Sequence, residues 1–308
     1  MPALRRIAVV LILFGAALPA RPVAAIEHVS VLLSESGGAY AEVAEAIHSE
    51  LKGFAEVSTR LASESPGPSR APVLAIVAVG TEACEHTARN GVLTNALLCV
   101  LVPRTAFERI AAGAGERRRI LSAIVLDQPP ARQLALIRIA MPERHRVAVL
   151  VGEQSMGLAA ELSGAASASA MRVVTARVES VPDLGPVLQQ TLRQADVLLA
   201  VPDSAIYNSQ TIHNILRTTF RMRLPMVAFS PAYVRAGALL AVYSTPGQIG
   251  AQAGRSIRAL LSGHNLPALQ FPKAFMVSTN PHVARSLGIA LPDENVLASR
   301  LHLLEAAR

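Results

Sequence analysis

In this sequence, polar side chains stand at the points where apolar runs break off. Val197–Val201 gives way to Pro202-Asp203, Met226–Phe229 to Ser230-Pro231, and Val147–Val151 to Gly152-Glu153-Gln154-Ser155. Earlier, His28–Ser34 runs into Glu35, Val73–Val79 into Gly80-Thr81, and Ala96–Val102 into Pro103-Arg104. A strand buried on both faces reads as a short continuous apolar run, and open parallel sheets hold ligands beyond the carboxyl ends of their strands. The candidate ligand contacts are therefore Ser34, Glu35, Tyr40, Thr81 and Arg104 in the first half, and Gln154, Ser155, Asp203, Tyr207, Asn208 and Ser230 in the second. Such carboxylates, hydroxyls and amides suit hydrogen bonding to a small polar ligand. For each of them the plain alternative is a bond that merely stabilises its own loop. Asp203 is the sharpest case. A carboxylate ending the most apolar strand needs a cation or several N–H donors, and either a ligand or the helix that follows can supply them.

Catalytic readings lack parts. Gly152-Glu153-Gln154-Ser155-Met156-Gly157 approaches a nucleophile elbow, but that turn needs glycine two residues before the serine and Gln154 stands there. Neither lysine, Lys52 or Lys273, follows a glycine-rich phosphate loop. The eight histidines never fall at metal-ligand spacing. Glu35 and Asp203 are the obvious acids at strand ends. Facing one another they would make a glycosidase pair; apart, each is a ligand partner or a satisfied loop acid. The sequence thus implies no enzyme, no cofactor and no metal. Ser34-Glu35-Ser36-Gly37-Gly38, between a strand and a helix, offers free N–H groups to an anion but lacks the dinucleotide order G-x-G-x-x-G.

The elements that must position these groups alternate between strand and helix. Tyr40, Val43, Ala44, Ile47 and Leu51 recur at helical spacing, as do Ile212, Ile215, Leu216 and Thr219. Thr105 with Glu108 and Thr245 with Gln248 read as capping boxes, the second with Pro246 at the first helical position. Asp183, Asn280 and Asp293 read as single caps. The alternation runs to about residue 126, is interrupted by Asp127-Gln128-Pro129-Pro130, and starts again. Two βα series split by a proline joint suit two doubly wound lobes, and a single large sheet accounts for the joint less well.

The stretch Asp196–Gly250 carries a resemblance. A strand ending in an acid, a helix, then LPMVAFS and VRAGALLAVYSTPGQIG resemble the TrpX-like substrate-binding proteins of ABC transporters, more loosely over about residues 28–290. The resemblance implies a periplasmic-binding-protein type I fold: α/β, with two Rossmann-like lobes joined by a hinge. It implies one lobe from 26–127 plus 246–270 and the other from 128–245 plus 271–308, after a signal peptide that the residues themselves suggest over 1–25. Leu239–Ser244 would be the second crossover and Phe271–Ser278 the third. The role implied is solute binding for an ABC permease in the inner membrane, by a monomer, with the ligand unspecified. A sensor subunit on the same fold and a periplasmic hydrolase are the alternatives.

Composition fits an exported globular protein. Of 308 residues, 51% are hydrophobic and 17% charged, which supplies ample core. Arg5-Arg6, the apolar run Ile7–Leu18 and Val23-Ala24-Ala25 form a secretory leader, with a retained anchor as the alternative. Without the leader's three arginines the balance falls from 29 basic against 22 acidic side chains to 26 against 22, a net +4. No basic block exceeds Arg117-Arg118-Arg119, so nucleic acid is not an expected partner. Cys84 and Cys99 are the sole cysteines, either a disulfide permitted by export or two buried thiols.

Overall fold

The computed structural model describes residues 27–64, 73–90, 96–114 and 120–307. The expected leader and the 117–119 block lie outside them. In chain order the elements are β1 (Glu27–Leu33), α1 (Gly38–Leu51), β2 (Ala55–Leu61), β3 (Val73–Val79), α2 (Thr81–Asn90), β4 (Ala96–Val102), α3 (Arg104–Gly113) and β5 (Ile120–Val125). There follow α4 (Pro130–Ala140), β6 (Arg146–Val151), α5 (Met156–Ser167), β7 (Arg172–Arg177), α6 (Leu184–Leu192), β8 (Val197–Leu199), α7 (Ile212–Arg221), β9 (Met226–Ala228) and α8 (Pro231–Ala236). The chain closes with β10 (Leu240–Tyr243), α9 (Pro246–Leu261), β11 (Leu269–Gln270), β12 (Met276–Thr279), α10 (Pro281–Leu287) and α11 (Glu294–Ala306).

Two six-stranded sheets result, with orders β11-β5-β4-β3-β1-β2 and β12-β10-β9-β8-β6-β7. Their paired strands are parallel apart from the antiparallel β10–β12. Successive residues of a strand point to opposite faces, so the apolar runs of the first sheet feed two cores. Val31, Val77 and Leu98 pack with Val43, Ile47 and Ile257 of α1 and α9, whereas Leu32, Ile76 and Leu97 pack with Cys84, Phe107 and Ile110 of α2 and α3. A third apolar cluster surrounds the second sheet.

The chain passes between the sheets three times: after β5, after β10 and between β11 and β12. Buried polar side chains knit these passages together. Gln128 donates to Ser244 Oγ at 3.0 Å, and Ser244 donates to the Ala274 carbonyl at 2.6 Å. Arg132, on the first turn of α4, donates to Gln128 Oε1 at 2.7 Å and to the Pro272 carbonyl at 2.8 Å. It also makes a two-pronged ion pair with Glu305 of α11 and lies 4.3 Å from the centre of the Phe275 ring.

Several local expectations need correction. Thr105 and Glu108 form no capping box, because α3 starts at Arg104 with Pro103 at the cap position, two residues before Thr105, and Glu108 is taken by the Arg104 Nε at 2.7 Å. Asp127, from the first passage, accepts the Arg104 N–H at 2.7 Å instead. The Asp183 carboxylate receives Ser180 Oγ and caps nothing. The Thr245–Gln248 box and the Asn280 and Asp293 caps are present as read. The second crossover, expected over Leu239–Ser244, follows β10, which is itself a strand of the second sheet, and the run Val197–Val201 is strand only as far as Leu199.

Cys84 of α2 and Cys99 of β4 are disulfide-bonded, with Cα atoms 5.5 Å apart and both residues fully buried. Replacing both by alanine is expected to lower stability by about 3 kcal/mol, the chain-entropy value for a loop of this length. Equilibrium urea unfolding measures this, and an unchanged midpoint would count against it.

Burial holds the Asp127 carboxyl above its ordinary 3.8, against the pull of the Arg104 N–H and guanidinium. A carboxyl whose folded pKa is raised contributes stability that is full below 3.8 and lost as pH rises through the folded value. Asp127→Asn keeps an acceptor for the Arg104 N–H and removes the charge. Its melting temperature should exceed that of the wild type at about pH 7 and converge on it below pH 3.8. Equal melting at both pH values would show that Asp127 is not strained by burial.

Candidate functional site

A cleft of about 420 Å³ opens between the two sheets, at the carboxyl ends of their strands. From the first sheet it is lined by Thr81 after β3 and by Pro103, Thr105, Ala106 and Arg109 after β4. The second contributes Gln154 after β6, Pro202, Asp203, Ser204 and Tyr207 after β8, and Phe229 and Tyr233 around β9. This volume lies within the range of small-molecule sites.

Asp203 is buried, and its carboxylate is already supplied with donors. Oδ2 accepts Ser155 Oγ at 2.6 Å and the Gly152 N–H at 3.0 Å, and Oδ1 accepts the Ala205 N–H at 3.0 Å. A Cβ on Gly152 would lie 2.8 Å from Oδ2, so the close approach to that N–H requires glycine. The bonds fasten the loop after β6 to the loop after β8. Local donors are thus one answer to the question posed by a carboxylate at this strand end, and Oδ1, with one donor, retains capacity for more.

The aromatic wall is built from edge-to-face pairs. Tyr207 and Phe229 have ring centres 6.2 Å apart, and Phe229 and Tyr233 4.9 Å apart. Tyr233 donates its hydroxyl to the Tyr207 carbonyl at 3.1 Å, which holds that edge of the wall in place. The Tyr207 hydroxyl is buried with no partner among the described residues. Burial drives its pKa far upward, and the Asp203 carboxylate and Tyr233 add to the shift, so it stays a neutral phenol. Opposite in charge is Arg109. Its exposed guanidinium makes no ion pair with a described residue and is the one cationic side chain lining the cleft.

Of the residues singled out from sequence, Thr81, Gln154, Asp203 and Tyr207 line the cleft, and Ser155 lies behind them, buried against Asp203. Arg104 does not line it; both edges of its guanidinium are engaged by Glu108 and Glu161. Ser34 accepts the Ala83 N–H at 2.9 Å, and with Tyr40 it crowds Gly80 beneath the Thr81 loop. The Tyr40 phenol is held above its ordinary value by burial and then by Glu35 and Glu82. Glu35 is exposed and outside the lining, so the cleft assembles no facing pair with Asp203. Ser230 stands at the start of α8 and makes no capping bond, and Asn208 closes its own loop by receiving the Gln210 and Thr211 N–H groups. Ser155 gives its hydroxyl to a carboxylate and no histidine lines the cleft, so a base-activated serine is not assembled there.

Arg109, Thr105 and Phe229 were not singled out. Thr105 and Arg109 are four apart on α3 and share a helical face, a spacing visible in the sequence. Phe229 closes an apolar run and gives no polar signal.

A family model of ABC transporter substrate binding proteins matches residues 125–302. No curated protein matches the chain significantly. Among solved structures, similarity extends to a ligand-free, open substrate binding protein with adhesive properties from Clostridium difficile, with TM-score 0.65 and 14% identity over 87% of this chain and 97% of that one. An ABC domain in complex with L-Trp from Streptococcus pneumoniae gives TM-score 0.59 and 14% identity over 89% and 98%. A conserved domain protein from Vibrio cholerae gives TM-score 0.58 and 17% identity over 89% and 98%. The architecture is that of type I periplasmic binding proteins: two mostly parallel sheets with alternating helices.

If Asp203 fastens the two loops, Asp203→Asn should lower stability by about 1.5–3 kcal/mol, the range for hydrogen bonds to a charged group. Chemical denaturation of the ligand-free protein measures it. A variant as stable as the wild type would move the carboxylate's role from the loops to the ligand.

Proposed function

The chain belongs to the ABC transporter substrate-binding protein family, and from that premise we propose that it is the periplasmic solute-binding component of an importer, handing a small ligand to a permease in the inner membrane. One observation carries this reading: a cleft of about 420 Å³ lined by residues that follow strands of both sheets. A ligand touching both walls stabilises the arrangement that brings them together, because closure is favoured by the difference in contacts between the two states. The bodies proposed to close are residues 26–127 plus 246–270 and residues 128–245 plus 271–308. The leader over 1–25 supports export, and so does the Cys84–Cys99 disulfide, a bond that persists in oxidising compartments.

The lining also narrows the ligand. The aromatic wall of Tyr207, Phe229 and Tyr233 fits a planar apolar group. Arg109 fits a carboxylate or another anion, which it can bind through two N–H groups. Thr81, Thr105, Ser204 and Gln154 add neutral donors and acceptors. The Streptococcus pneumoniae neighbour, solved with L-Trp, makes that amino acid a sensible first probe.

Native mass spectrometry of protein purified without dialysis should reveal a bound small molecule, and adding that molecule back to stripped protein should reduce the radius measured by small-angle scattering. Ligand at a hundredfold excess over its Kd should stabilise the fold by about 2.7 kcal/mol. Arg109→Gln should weaken binding by about tenfold or more while leaving the melting temperature of the ligand-free protein in place. A radius unchanged at saturation would argue against closure, and undiminished binding by the variant against an anionic ligand.

A further inference from the structure

Beside the cleft, one ion pair joins the two sheets. Arg104 follows β4 of the first sheet, and Glu161 lies on α5 above the second. Arg104 Nη1 donates to Glu161 Oε2 at 2.7 Å and its Nη2 lies 2.7 Å from Oε1, a two-pronged arrangement. Among the described residues no other ion pair links a helix of one sheet to a helix of the other. We propose that Arg104 and Glu161 form a latch whose engagement sets the balance between open and closed states of the ligand-free protein. The inference rests on the two-lobed binding reading and concerns the regulation of that cleft.

The geometry distinguishes this pair from an ordinary surface contact. Such pairs contribute little because two long side chains must be immobilised to make them. Arg104 is immobilised already: its Nε is bonded to Glu108, its backbone N–H to the buried Asp127, and its guanidinium lies 5.9 Å from the centre of the Phe271 ring. Pairing then costs the rotamer freedom of Glu161 alone. Asp127 and Phe271 also flank the first and third passages between the sheets, so the latch is anchored on the segments that must flex when the lobes part. Its neighbours Pro103 and Thr105 line the cleft, as does Gln154 from the loop before α5. A ligand drawing the walls together therefore brings Arg104 and Glu161 within reach of each other. The Arg104 side chain is 23% exposed and that of Glu161 41%, so salt can reach the pair.

The test uses stripped, ligand-free protein with spin labels on Lys52→Cys and Arg193→Cys, exposed positions on the first and second lobes, with the native disulfide intact. Pulsed electron paramagnetic resonance reads the distance between them at about 0.01 M and about 1 M salt, where the screening length falls from about 30 to 3 Å. Two distances are expected, with the longer gaining about three- to fivefold relative to the shorter in Glu161→Gln, the upper range for an exposed pair. High salt should act similarly on the wild type and have no further effect on the variant. Glu108→Gln, which removes the partner on Arg104's own helix, should leave the salt response in place. Two distances in unchanged proportion in Glu161→Gln would overturn the latch and leave the binding reading standing. One fixed distance throughout, with co-purified ligand also failing to shorten it, would overturn both.

Discussion

Two sheets can share one cleft only if the chain crosses between them without stranding polar groups, and Arg132 is where that demand is met. Its buried guanidinium gathers Gln128 from the first passage, the Pro272 carbonyl from the third and the Glu305 carboxylate from the last helix, and Gln128 reaches the second passage through Ser244. A buried charge deprived of its partner costs about 3–5 kcal/mol, so these contacts hold together or fail together. Polar bonds between side chain and carbonyl can tilt a few degrees and survive, whereas a close-packed apolar seam resists continuous deformation. Apolar cores thus lie on either side of a polar joint.

The fold was legible because its signals are local. Buried parallel strands must be continuous apolar runs, and the Thr245–Gln248 box and the Asn280 cap require neighbours only two or three residues away. The joint at Asp127-Gln128-Pro129-Pro130 showed for the same reason. What stayed hidden depended on partners far along the chain. Arg104 stood at a strand end like a ligand contact, but its guanidinium goes to Glu161, 57 residues on. The start of α3 was misplaced because its capping acid, Asp127, comes from 23 residues away. β11 is two residues long and exists only through β5.

The candidate site was half legible for a related reason. Strand-end logic finds loops, not directions. It reached Thr81, Gln154, Asp203 and Tyr207, which line the cleft, but also Ser34 and Ser155, whose hydroxyls turn inward to serve Ala83 and Asp203. Arg109 escaped because it stands on the second turn of a helix rather than at a strand end. The Asp203 carboxylate already accepts three donors of its own lobe, and the charge lining the cleft without a described ion-pair partner is the guanidinium of Arg109.

The segment that most clearly marked kinship, VRAGALLAVYSTPGQIG, has a packing explanation. It carries the chain out of the second sheet and back onto the first, where α9 lies against α1. A Cβ on Gly250 would stand 2.5 Å from the Val43 carbonyl oxygen and 2.8 Å from the Ala46 Cβ, and one on Gly254 would collide with the Glu50 side chain. The two helices meet this closely only because both positions are bare. Polar bonds then frame the contact: Glu42 accepts the Gly247 N–H at 2.9 Å, and Glu50 holds Arg255 at 2.8 Å and Arg258 at 3.4 Å. The motif therefore specifies where the returning chain is anchored, a requirement that is the same whatever the cleft contains. Arg109, Phe229 and Tyr233, which line the cleft from α3 and from the segment around the start of α8, form no such motif. A sequence of this architecture can thus declare its family plainly and keep its ligand to itself.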